Sequence, residues 1–88
     1  MNVQKIYIDV YATIDLADGD TVHEPITDMT YDSEVSDTAF ICQQAVSYAR
    51  NVRRACSSLG SNNRVMDFPW AVTVDIPDID FTWYAEVM

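Results

Sequence analysis

The side chains with chemistry to offer are few: acids at Asp15, Asp18 and Asp20, one histidine, cysteines at 42 and 56, and acids at Asp75, Asp78 and Asp80. The first acid group invites a calcium loop, which wants ligands at positions 1, 3 and 5, glycine at 6 and glutamate at 12. Counting from Asp15 puts Ala17 at position 3, Gly19 at position 5 and Ile26 at position 12, so the match fails and Asp18-Gly19 reads as a hairpin turn. His23 sits beside Glu24 and Pro25 and alone must serve any nucleophile or zinc site, which leaves a closed zinc site short of ligands. No GxGxxG or GxxxxGKS/T stretch cradles a phosphate. Asp75 and Asp80 are expected on a bare, hydrated face, a setting that does not suit paired acids to acid catalysis. The reading is a protein that is not an enzyme and uses no cofactor and no metal.

The chain has 88 residues, 49% of them hydrophobic and 11% aromatic, enough for one domain, 1–88, with a real core. IYIDVYATIDL, residues 6–16, alternates strictly and predicts a strand from Val3 to Ala17. ADGD at 17–20 turns it back into TVHEPITDMTY, 21–31, where Pro25 allows only an edge strand or an irregular return. Ser33 or Ser36 is the expected helix cap, with Glu34 and Asp37 in the first turn. Val35, Cys42, Ala45, Ala49, Val52, Cys56 and Leu59 then recur at helical spacing, and Gly60 closes the helix before the loop SNNR. Cys42 and Cys56 lie about 21 Å apart on that helix, too far for a disulfide, and read as buried apolar residues.

Two strands follow. Trp70, Val72, Val74 and Ile76 alternate with Ala71, Thr73 and Asp75, and Pro77-Asp78 makes the turn. Ile79, Phe81, Trp83, Ala85 and Val87 alternate with Asp80, Thr82, Tyr84 and Glu86. The expected fold is α+β, a β(β)αββ antiparallel sheet of three or four strands with one long helix on one face.

One helix covers one face, so the other meets solvent or a partner. Its expected residues include Tyr7, Asp9, Tyr11 and Asp15 of the first strand and Asp75, Asp80, Tyr84 and Glu86 of the last two, with Lys5 as the only base, at the margin. Acids and tyrosines on such a face have two readings. Tyrosine and threonine form strands well and acids favour solubility. Alternatively tyrosines between acids make an interface for arginine or lysine of another protein. Charge is uneven along the chain: residues 1–37 hold nine acids, residues 38–64 hold none but four arginines, and 65–88 hold five more acids. Arg50, Arg53 and Arg54 read as complements of the helix dipole or as a second contact surface. At a net charge of −9 the field repels nucleic acid and anionic membranes and attracts basic surfaces. No apolar run approaches the ~20 residues of a membrane span and the first residues do not read as a signal peptide, so a cytoplasmic protein is expected.

In size, acidity, absence of catalytic motifs and αβ design, the chain resembles phage-encoded anti-defence proteins, the anti-CRISPR proteins and other DNA mimics. The resemblance is one of general character and carries no motif. It implies a nucleic-acid-binding host defence complex as partner, bound without cofactor in the host cytoplasm. The other reading is a homo-oligomeric assembly protein of a phage or bacterium joined through its sheet edges, and a homodimer is compatible with either.

Overall fold

The computed structural model describes residues 3–34, 37–58 and 64–87. Strand β1 (Gln4–Asp15) turns into β2 (Thr21–Ser33); helix α1 (Thr38–Ser58), a 3-10 turn (Arg64–Asp67), β3 (Trp70–Ile76), a second 3-10 turn (Pro77–Ile79) and β4 (Phe81–Val87) follow. The strands form one antiparallel sheet in the order β2-β1-β3-β4, with α1 packed on one side, which is the expected α+β arrangement.

The alternating apolar set of β1 supplies Ile6, Ile8, Val10 and Ala12, and β3 supplies Trp70, Val72, Val74 and Ile76, all buried. From α1 they meet Ile41, Cys42, Ala45 and Ala49. The two alanines bring the helix backbone close to the sheet, and Val46, Tyr48, Val52 and Cys56 pack on the flanks. Trp70 fills the end of this layer. Arg53 lies over it, with the guanidinium carbon 5.1 Å from the ring centroid. The same side chain donates to the Phe68 and Met66 carbonyls at 3.4 and 3.3 Å. Arg53 therefore pins the segment that leads into β3, a different task from the helix-dipole complement expected of it. The last turn of α1 holds no base.

The hairpin closes through hydrogen bonds from the Leu16 N–H to the Asp20 carbonyl at 2.8 Å and from the Gly19 N–H to the Leu16 carbonyl at 3.1 Å. Gly19 takes φ +91°, which a side chain resists. Asp18 accepts the Asp20 N–H at 3.0 Å and Asp15 accepts the Thr21 hydroxyl at 3.2 Å, so these acids close the turn.

Two local expectations are corrected, the helix cap and the start of the last strand, and one alternative is decided. Of the two alternatives for the return stretch the structure has the edge strand, thirteen residues long, in which a bulge absorbs Pro25: Val10 pairs with Thr27 and Tyr11 with Pro25, leaving Ile26 as the extra residue. Ser33 ends β2 and does not cap the helix. The cap is Asp37, whose carboxylate accepts the N–H groups of Ala39 and Phe40 at 3.1 and 3.3 Å. Asp37→Ala is expected to lower stability by about 0.5–2 kcal/mol, read as a shift in urea midpoint at unchanged slope. Ile79 and Asp80, expected in the last strand, belong to the preceding turn: Ile79 is 44% exposed and Asp80 is left-handed at φ 51°. Val35, Ser36, Leu59, Gly60 and residues 61–63 lie outside the described residues.

Candidate acidic interface

The side of the sheet opposite α1 is built by period-two alternation, and strand register sets which residues stand side by side. One row across the sheet reads Thr30, Tyr7, Asp75, Thr82; the next reads Asp28, Asp9, Thr73, Tyr84; the third reads Pro25, Tyr11, Ala71, Glu86. Lys5 faces Asp32 at one end, and Thr13 faces His23 and Asp15 faces Thr21 at the other. Tyr7, Asp9, Asp28, Thr30, Asp75, Thr82, Tyr84 and Glu86 are all exposed, so among the described residues nothing covers the middle of this face. Of the eight residues expected here, seven share it. Asp80 sits in the turn beyond the end of β4.

Asp28 and Asp32, which are not among the residues expected on this face from the sequence, lie on it, in β2. Their signal was present in DMTYD, where Asp28, Thr30 and Asp32 alternate with Met29 and Tyr31, whose side chains pack against the core. The bulge at Ile26 reverses the alternation and hid it. The remaining acids of the first 37 residues separate: Asp18 and Asp20 lie in the hairpin turn, Glu24 pairs with Ala12 on the helix side, Glu34 follows β2, and Asp37 caps α1.

Asp9 is the centre of the face. Two shallow depressions of about 440 Å³ each flank it, and it is the one residue that lines both. The first also holds Asp28, Tyr11, His23 and Pro25; the second holds Asp75, Thr73, Thr82 and Tyr84. Each thus combines two carboxylates with a tyrosine ring. Tyr11 meets His23 edge to face, with ring centroids 4.8 Å apart at 78°. Burial, with a smaller contribution from the nearby Tyr84, pushes the Tyr11 phenol above its ordinary pKa, so at neutral pH it is a hydroxyl donor. Tyr84 is 54% exposed and offers its ring to solvent.

This pattern disfavours folding. Asp9 and Asp28 are direct cross-strand partners, and like charges so placed destabilise a sheet by about 0.2–1 kcal/mol. Asp28→Asn is therefore expected to stabilise the domain by a few tenths of a kcal/mol up to about 1, measurable as a rise in urea midpoint that shrinks with added salt.

What such depressions offer chemically is a set of acceptors suited to a cation. A carboxylate pair accepts the forked N–H donors of a guanidinium, and a tyrosine ring offers its negative face to the same group. Among the described residues no cluster of three or more His, Cys, Asp or Glu side chains is arranged to hold a metal ion, and no helix is long and apolar enough to cross a membrane. Burial raises the Cys42 thiol above its ordinary pKa, which keeps it protonated and unreactive. No family model matches the chain, and no curated protein and no solved structure is significantly similar to it.

Proposed function

We propose that this chain is a binding protein whose bare sheet face docks on an arginine- and lysine-rich surface of another protein. The observation that carries the reading is the pair of acid-and-tyrosine depressions that share Asp9. Strand spacing sets the array: neighbours within a row lie ~4.8 Å apart across strands, and successive rows lie ~6.8 Å apart along them. Carboxylates on such a grid present fixed negative charges to a surface already built to receive phosphates. Binding there releases the counterions that a nucleic acid would release, so the two compete.

The target class is accordingly a protein that holds DNA or RNA on ordered basic side chains, and the chain acts as its stoichiometric inhibitor. A phage-encoded inhibitor of a host defence complex is the setting in which such a molecule works. Its affinity falls with salt, because the attraction runs between exposed charges.

The experiment is a titration of labelled deca-arginine with the full chain at about 50 and about 300 mM NaCl. Binding that saturates at one peptide per acidic face and weakens at least tenfold at the higher salt is expected. Absence of saturable binding at the lower salt contradicts the reading.

A further inference from the structure

The two outer strands of the sheet are defended unequally. β2 carries Pro25, the bulge at Ile26 and the exposed acids Glu24, Asp28 and Asp32, devices that keep an edge from pairing. β4 reads FTWYAEV, in unbroken register with β3, without proline and with Glu86 as its one charge. Beside it, between β4 and α1, runs a groove of about 730 Å³ lined by Cys42, Val46, Arg50, Phe81 and Trp83 among others. An unguarded edge next to an apolar groove is a template for another strand.

We propose that the chain forms a two-fold symmetric dimer by antiparallel pairing of β4 with β4 of a second copy, in the register centred on Tyr84. The strand's own sequence selects that occupant. Only this centre pairs all seven residues. It sets Trp83 against Ala85 and Phe81 against Val87 on the helix side, so each large ring meets a smaller side chain, and the groove gives the rings room. On the acidic side Tyr84 meets Tyr84 and Glu86 meets Thr82, so no two carboxylates are opposed, whereas centring on Glu86 opposes them. The isologous contact closes on itself and leaves both β2 edges outermost. The product is an eight-stranded sheet with both helices on one side and the two acidic faces continuous on the other. The dimer does not depend on what that face binds.

Sedimentation equilibrium of the full chain alone tests this. The mass is expected to rise from 10.0 kDa towards about 20 kDa with concentration. Dimerisation tightens between about 50 and about 500 mM NaCl, because copies of net charge −9 repel; cation capture by the acidic face has the opposite salt dependence. Thr82 is exposed and occurs twice opposite Glu86. Thr82→Lys tightens the dimer about fivefold and Thr82→Glu weakens it about fivefold. Amide exchange in the unsubstituted protein slows along residues 81–87 as concentration rises, with β2 unchanged. A mass that stays at 10.0 kDa in both salts overturns the proposal. So do Thr82 variants that shift association in the same direction, or slowed exchange in β2 instead of β4.

Discussion

Replacing Trp70 with alanine lowers the unfolding free energy by about 3–5 kcal/mol. The ring is 0% exposed and opens β3 between Ala12 of β1 and Val87 of β4. Its neighbours are strand residues held by hydrogen bonds on both sides, so the cavity collapses poorly and the cost falls at the upper part of that range. The substitution also removes the surface on which the Arg53 guanidinium rests. A domain of this size has about 4–13 kcal/mol in all, so the variant loses between about a quarter and all of its stability. Urea denaturation followed by far-UV circular dichroism reads the change. A loss under about 1 kcal/mol would show that the indole is not the keystone of the layer.

Asp9→Lys abolishes most of the affinity for deca-arginine, by about tenfold or more, while leaving the fold intact. Asp9 lines both depressions, so one reversal removes an acceptor from each and places a cation between Asp28 and Asp75. The partner then meets repulsion where it met a carboxylate. Asp15→Lys, at the hairpin end of the same strand, changes affinity only about twofold, because Asp15 lines neither depression and accepts the Thr21 hydroxyl. Fluorescence anisotropy at low salt compares the two. Equal losses from both would mean that overall charge, and not the arrangement around Asp9, governs binding.

The sheet and helix were readable because each obeys one period over a long stretch. Ile6 to Leu16 alternates without interruption, and Cys42, Ala45 and Ala49 repeat on one helical face. What escaped was set by tertiary register. A bulge beside Pro25 reverses the phase of β2, and only the strand register reveals that Asp28 and Asp32 stand on the bare face. The helix cap went to Asp37 and not to Ser33 because the cap is the residue just ahead of the first helical N–H groups, and periodicity locates that boundary poorly. Arg53 was read as a charge for the dipole, since nothing in its local sequence announces the carbonyls of Met66 and Phe68. The bare face itself followed from counting layers: one helix cannot cover both sides of four strands.

We propose that the position of the acids on this face, rather than their number in the chain, produces binding. Two triple variants of equal charge separate these: Asp9→Asn with Asp28→Asn and Asp75→Asn on the face, against Asp18→Asn with Asp20→Asn and Glu34→Gln away from it. Both lose three negative charges and all six positions are exposed. Titrated with deca-arginine at the same salt, the face variant is expected to bind at least about thirtyfold more weakly than the unsubstituted chain, and the other within about threefold of it. Equal weakening of the two would contradict the account.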